Sequence, residues 1–423
     1  MIRPNIAWRT TAVLGAACLA LAACADDGGD TPGTGASQAP AAVPADGVLK
    51  IGTLLPQTGS LAFLGPPEFA GVDLAAKEIN EAGGVLGKPI TVSDTDSGDT
   101  STDIASQSVN KLLTEKVDVI VGAASSSVSL SVIDAITGAG VVQISPANTS
   151  DTFTTYNDKN LYFRTAPPDV LQGRVLGNLV VQDGNATVGM LVLQDAYGTG
   201  LAKNARAAIE SGGGQVVAEE IYDPKAADYS AEVGKIKQAN PQAIILIGFD
   251  ETAKIIPKLI EAGLTAKAKK WYFVDGNLSN SYKFDKGTLE GAKGTLPGAE
   301  AKAYFQTRMK AVDPKLADYS YGPESYDATV LAALAAEAAK SDSPTEIAKQ
   351  LAPVSKGGTK CTTFKQCKDL LAAGTTDIDY DGVSGPVEFN DAGDPAEATI
   401  GIYQYGNDNK YTNVTYLSGK IAG

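Results

Sequence analysis

Three short segments carry side chains that could hold a charged small molecule. In 122–127, Ser125, Ser126 and Ser127 stand directly before a helical pattern. A serine there caps the helix, and the free N–H groups with the helix dipole also make an anion site. Capping alone accounts for these serines equally well. In 146–149, the backbone of Pro146, Ala147, Asn148 and Thr149 and the threonine hydroxyl can reach the same anion, or simply form a turn. The third segment is Asp275-Gly276. A carboxylate at such a place is solvated unless a cleft buries it, and then it needs a cationic partner. An anion site facing a carboxylate matches the two ends of a zwitterionic amino acid.

Each of these segments follows a β-rich run, and in open α/β sheets ligands sit beyond the carboxyl ends of the strands. Strand-like runs at 48–55, 90–93, 117–121 and 141–144 alternate with helical spacing at 66–82, 104–113 and 128–137, the grammar of βαβ units. Phe69, Val72, Ala76 and Ile79 mark the buried stripe of the first helix, and Gly83-Gly84 ends it. A second run of the same kind begins near Asp169, with strands at 188–193, 216–221, 243–247 and 271–274. The repetition on both sides of Arg164 predicts two similar α/β lobes. Beyond Gly298 the pattern predicts helices at 301–311 and 326–339, then short strands at 385–389 and 399–405 joined by the turn 390–394.

A chain of 423 residues exceeds the size at which one core usually splits, so two domains are expected. Formal charge is −14, and loss of Arg3 and Arg9 with an N-terminal leader makes it −16, which argues against nucleic acid or an anionic membrane surface as partner. With no histidine the usual general base is missing. Nor is there a metal-ligand cluster, a nucleophile elbow or a phosphate loop, and Gly198-x-Gly200 lacks the remaining glycine of a dinucleotide site. The reading is therefore a non-enzyme without cofactor or metal.

Arg3 and Arg9, the apolar run 11–20 and the small residues before Cys24 are built like a secretory signal, too short to span a bilayer. Leu21-Ala22-Ala23-Cys24 resembles a bacterial lipoprotein signal, which implies a lipid on Cys24; an ordinary signal with an incidental cysteine is the alternative. The polar stretch 25–46 reads as a disordered tether with a reach on the order of 25 Å. Cys361 and Cys367 then remain as an even pair in an exported chain, read as a local disulfide.

Further motifs point to one family. Ile51-Gly52-Thr53-Leu54-Leu55-Pro56-Gln57-Thr58-Gly59, Ile79-Asn80-Glu81-Ala82-Gly83-Gly84-Val85-Leu86-Gly87 and Val121-Gly122-Ala123-Ala124-Ser125-Ser126-Ser127 are similar to the solute-binding proteins of branched-chain amino acid ABC importers. So are Ile144-Ser145-Pro146-Ala147, Asp195-Ala196-Tyr197-Gly198-Thr199-Gly200 and Gly385-Pro386-Val387-Glu388-Phe389, in the family's order. The resemblance covers nearly all of 48–405. It implies a type I periplasmic-binding-protein fold, α/β, with two Rossmann-like lobes, a ligand cleft and a three-strand hinge. The implied division is a lipoprotein signal at 1–23, the lipidated cysteine and tether at 24–47, an N-terminal lobe from 48–166 plus 298–384, and a C-terminal lobe from 167–297 plus 385–423.

Carried over residue by residue, the resemblance implies that Ser126, the 147–149 loop with the backbone of Ala147 and Asn148, and Thr149 hold an α-carboxylate. Asp275, where compared members carry glutamate, would take the α-amino group. Tyr197 would close over the ligand, Phe249 and Tyr326 would line the cleft, and Leu64 or Phe63 would touch the ligand side chain. Asp250 either faces the cleft or caps the following helix. The implied partners are a small amino acid, most of all a branched-chain one, and a membrane permease with its ATPase, for a monomer anchored through Cys24 to the outer face of the cytoplasmic membrane. A sensory receptor of the same fold, or another solute such as an amide or aromatic acid, is the alternative.

Overall fold

The computed structural model describes residues 44–421. The leader, Cys24 and most of the expected tether lie outside the described residues. Among the described residues no helix is long and apolar enough to cross a membrane.

The first half runs β1 (Lys50–Leu55), α1 (Gly65–Glu81), β2 (Thr91–Asp96), α2 (Ile104–Glu115), β3 (Val119–Gly122), α3 (Ser126–Gly138), β4 (Val142–Ser145), a 3-10 turn (Asp151–Thr155) and β5 (Tyr162–Arg164). Its strands form a parallel sheet in the order β2-β1-β3-β4-β5. β3 and β4 are buried throughout, as strands covered on both faces must be.

The second half runs α4 (Asp169–Gln182), β6 (Thr187–Leu193), α5 (Ala196–Ser211), β7 (Gln215–Tyr222), α6 (Ser230–Ala239), β8 (Ala243–Ile247), α7 (Thr252–Glu261), β9 (Lys270–Phe273) and β10 (Lys293–Pro297). The chain then turns back through α8 (Ala303–Val312), α9 (Gly322–Ala339), α10 (Pro344–Val354), β11 (Thr359–Cys361), α11 (Phe364–Ala372) and β12 (Ile378–Tyr380) before β13 (Glu397–Tyr405) and β14 (Tyr411–Lys420). The second sheet has the order β14-β13-β10-β9-β8-β6-β7. Strands β6 to β10 run parallel, β13 pairs antiparallel with β10, and β14 pairs antiparallel with β13 at the edge.

Helices α8 to α11 pack their apolar residues into the core of the first sheet. Helix α9 is buried on every face from Gly322 to Ala336, which is why its run is alanine-rich. It starts four residues before the expected 326 because Pro323 sits in its first turn, where a missing N–H costs nothing. Against it, Gly71 of α1 comes so close that a Cβ would lie 2.3 Å from the Gly322 carbonyl oxygen.

Residues 385–389 form no sheet strand, contrary to expectation. Only isolated bridges, Asp381 to Pro386 and Phe389 to Pro395, occur there. Pro386 has no N–H to donate, and the Ser384 N–H is taken by the buried Asp327 carboxylate at 2.7 Å.

The chain crosses between the sheets at 165–168, 298–302 and 390–396. The first and third crossings are tied by a fully buried ion pair, Arg164 Nε to Asp394 Oδ1 at 2.6 Å. Arg164 also donates to the Ser150 carbonyl at 2.8 Å and to Thr154 Oγ1 at 3.1 Å, and Thr154 donates to Asp394 Oδ2 at 2.7 Å.

Cys361 and Cys367 form the expected disulfide, joining β11 to α11 with Cα atoms 5.3 Å apart. Closing so short a loop removes about 2 kcal/mol of chain entropy from the unfolded state. The Cys361→Ala, Cys367→Ala double variant is therefore expected to unfold at lower urea with an unfolding free energy about 2 kcal/mol smaller. A urea midpoint equal to that of the oxidised parent would show the bridge to contribute nothing.

Candidate ligand-binding site

The carboxyl ends of β3 and β4 in one lobe and of β6, β8 and β9 in the other face a shared cavity of about 20 Å³. From the first lobe it is lined by Leu61, Leu64, Ala124, Ser125, Ser126, Ala147 and Thr149. Tyr197, Phe249, Asp275 and Gly276 line it from the second, and Tyr321 from the segment before α9.

The first-lobe wall is a helix start. Gly122 has φ +129, and a Cβ there would lie 2.1 Å from the Leu54 carbonyl oxygen, so only glycine lets β3 turn into this loop. Ser125 is the cap of α3, its Oγ accepting from Val128 N–H at 3.4 Å. Ser126 Oγ accepts from Ser150 N–H at 3.3 Å. Among the described residues, the N–H groups of Ser126 and Thr149 have no protein acceptor. One free donor at a helix N-terminus and a second in the adjacent loop make an anion site.

Asn148 is buried and does not line the cavity. Its amide donates to the carbonyls of Ala123 and Ala124 at 3.0 and 2.8 Å and accepts from Tyr162 Oη at 3.0 Å. It clamps the two loops to each other, which fixes where the free N–H groups point.

The second-lobe wall is organised around Asp275, which is 6% exposed. Oδ1 accepts from Tyr197 Oη at 2.6 Å and Gln172 Nε2 at 2.8 Å, and Oδ2 accepts from Tyr321 Oη at 2.8 Å. Burial pushes its carboxyl above the usual carboxylate range, and these three donors pull it back. A carboxylate has about four lone-pair positions, so Oδ2 retains room for one more donor. The Tyr197 ring stacks on Phe249, centroids 5.5 Å apart at 11°. Phe249 is braced from behind by Glu251, whose Oε1 accepts from the Phe249 N–H at 2.9 Å and from Tyr222 Oη at 2.7 Å. Gly276 fits because a Cβ there would lie 2.7 Å from the Phe249 ring.

The lobes touch beside the cavity. Ser127 Oγ donates to Asp195 Oδ2 at 3.1 Å and accepts from the Ala196 N–H at 3.2 Å, and Ser150 Oγ donates to the Ala196 carbonyl at 3.1 Å. Asn204 reaches across to Asp151 at 2.6 Å. This is a closed arrangement, with an enclosed space far below the ~300 Å³ of ordinary small-molecule pockets.

Several expected residues stand elsewhere. Tyr326 lies inside the first lobe, its hydroxyl donating to Glu78 at 2.6 Å and accepting from Arg308 at 3.0 Å. One and a half helical turns separate it from the loop that faces the cleft, and Tyr321, held with φ +58, takes the cleft position. Phe63 is half-buried against the second-lobe core, while Leu61 and Leu64 line the cavity. Asp250 is exposed and does not line it, and its side chain makes no cap for α7.

Sequence reasoning missed Asp169 and Gln172, both in the first turn of α4; Gln172 donates to Asp275, far along the chain. Both oxygens of Asp169 are buried without a partner, and burial, then the charge of Asp275, pushes its carboxyl well above the usual range. Its N–H is fixed on the Thr149 carbonyl at 2.6 Å, which sets this acid behind the first-lobe wall.

Known proteins share this architecture. The chain is 28% identical over 376 residues to Leu/Ile/Val-binding protein homolog 1 of Brucella abortus (strain 2308), covering 86% of this chain and 92% of the relative. Leu/Ile/Val-binding protein homolog 3 of Brucella melitensis is 28% identical over 221 residues, and that match spans 52% of this chain and 59% of the relative. In structure the chain is similar to the branched-chain amino acid transporter substrate binding protein LivJ from Streptococcus pneumoniae, solved with isoleucine, at a TM-score of 0.71 and 25% identity over 88% of this chain and 100% of that one. A family model described as periplasmic binding protein matches residues 48–410. Two α/β lobes closing on one cavity, and a family match over most of its length, make this chain a member of the periplasmic binding protein family.

Proposed function

We propose that this chain is the extracytoplasmic receptor of an ABC importer, capturing a small amino acid of the branched-chain type and handing it to a permease driven by an ATPase. The observation that carries this reading is the pairing across the cleft: the free N–H groups of Ser126, at the start of α3, and of Thr149 line the same cavity as Asp275 of the other lobe. The α-carboxylate goes to Ser126 and the Thr149 hydroxyl and N–H, and the α-ammonium to Asp275. Leu61, Leu64 and Phe249 supply an apolar wall for an aliphatic side chain. A ligand that touches both lobes favours the closed state by its differential affinity, and closure is the signal a permease reads. The names of the relatives support the ligand class, and the leader ending at Cys24 supports a lipid anchor outside the cytoplasmic membrane.

The test is a thermal-shift panel on ligand-stripped protein beginning at Ala25, against amino acids, amides and small carboxylates. A ligand at 100 times its Kd adds about 2.7 kcal/mol. Shifts confined to leucine, isoleucine and valine are expected. Shifts only with compounds lacking an α-amino group would remove Asp275 from its role and rename the solute.

A further inference from the structure

Behind Tyr321, on the side away from the first cavity, lies a second and larger one of about 270 Å³. It spans the hinge. The segment 317–324 and Gln306 come from the first lobe, and Tyr403, Tyr411, Asn413 and Tyr416 come from β13 and β14 of the second. Its lining holds Glu300, Asp318 and Glu324 and, among the described residues, no lysine or arginine.

Glu324 is the decisive residue. It is 2% exposed and lines both this cavity and a neighbouring one of about 50 Å³. Among the described residues, no other residue donates a hydrogen bond to its carboxylate and no cation pairs with it. The crossing segment passes so close that a Cβ on Gly298 would lie 2.2 Å from Glu324 Oε1. Burial pushes its carboxyl well above the usual carboxylate range, and a cation brought beside it would favour the charged form.

Opposite stand three half-buried tyrosine rings set at steep angles. Tyr403 meets Tyr411 at 77° with centroids 5.3 Å apart, and Tyr416 at 84° with centroids 6.2 Å apart. Their hydroxyls are engaged, Tyr403 with Tyr416 at 3.1 Å and Tyr411 on Asp318 at 3.2 Å, so the rings are held in place. Electron-rich faces beside carboxylates attract cations, above all alkylated ammonium groups. At the same rim Lys310 already places its ammonium over the Tyr319 ring at 5.9 Å.

We infer that this hinge cavity is a second ligand site, which takes a small organic cation with a methylated ammonium head between Glu324 and the rings of Tyr403, Tyr411 and Tyr416. Its occupant bridges both lobes and shares the Tyr321 wall with the first cavity, so it is placed to bias closure.

The test is calorimetric titration of the chain with choline chloride and with tetramethylammonium chloride, using lithium chloride at equal ionic strength as the blank. Saturable binding of both organic cations is expected, weakened at least about tenfold by Glu324→Gln and by Tyr416→Leu. Phe249→Leu should leave it within about twofold, since that ring lines the first cavity, not this one. No saturation up to 10 mM, or equal binding by the parent and Tyr416→Leu, would overturn the site. Loss of cation binding in Phe249→Leu alone would place the cation in the first cavity and overturn it as well. Tyr416 is partly exposed on an edge strand, so its variant decides the matter even where Glu324→Gln fails to fold. The proposed amino acid capture stands or falls separately.

Discussion

Asp275→Ala is expected to weaken capture of the amino acid by roughly a few hundred- to a few thousand-fold, about 3–5 kcal/mol, because it strands the ligand ammonium in a cleft with no counter-charge. The same change strands the hydroxyls of Tyr197 and Tyr321 and the Gln172 amide, all of which now donate to this carboxylate. Stability therefore falls too, and the Asn variant separates the effects. Asparagine keeps an oxygen for Tyr197 and Gln172, and the Tyr321 hydroxyl can turn to accept from its NH2, so with the charge removed and the packing kept its loss of affinity reports mainly the ammonium contact. The pH dependence has a definite sign. Burial raises the Asp275 carboxyl above its ordinary value, so in the ligand-free protein a fraction holds a proton that an ammonium ligand must displace. Affinity is expected to rise with pH through that raised value, and Asp275→Asn should flatten the profile. Calorimetric titrations of all three proteins between pH 4 and 8 measure both effects. A loss below tenfold in Asp275→Ala would take the ammonium away from this residue.

The strand–helix alternation was legible because the inner strands of each lobe are covered on both faces and read as continuous apolar runs, such as 243–247. The elements that escaped notice lack that signature. β10 contains Gly294 and Pro297, and β14 is an exposed edge strand whose polar residues alternate with little hydrophobic signal. Residues 385–389 show the opposite case. Valine and phenylalanine there suggest a strand, yet Pro386 has no N–H for a ladder, the Phe389 N–H goes to Ser355 Oγ, and the donors just before the segment serve Asp327.

The cavity wall was legible where the site is backbone at strand ends, as with Ser126, Ala147 and Thr149, since strand position alone fixes those loops. Side chains arriving from elsewhere were harder to place. Tyr321 and Tyr326 are five residues apart, and only the left-handed turn at Tyr321 directs one to the cleft and leaves the other under α1. Gln172 lies on a helix whose contact with Asp275 spans 103 residues, a separation no local pattern encodes. The disulfide was accessible for a chemical reason, since exported chains seldom keep two nearby thiols free.

The hinge should respond most strongly to loss of Asp394. Arg164 and Asp394 are 0% and 2% exposed, so Asp394→Ala leaves a guanidinium buried without its counter-charge. Burial opposes the Arg164 charge while Asp394 sustains it, and a guanidinium cannot shed its proton to escape. The hydrogen bonds to Ser150 and Thr154 remain, but they supply dipoles rather than a negative charge. The expected cost is about 3–5 kcal/mol, a large share of the ~5–15 kcal/mol that holds a folded domain together. Removing both charges together, as Arg164→Met with Asp394→Leu, should cost less than the single change, because neither group is then left unpaired. That ordering separates an ion pair from simple packing, in which the double variant would be the worse of the two. Urea unfolding of the three proteins gives the comparison, and a single-variant loss under about 1 kcal/mol would mean water reaches Arg164 in solution. Because this pair ties the first crossing to the third, its loss also loosens the strands about which the lobes rotate. The same variant is therefore expected to lower affinity for the captured ligand by shifting the protein toward open forms.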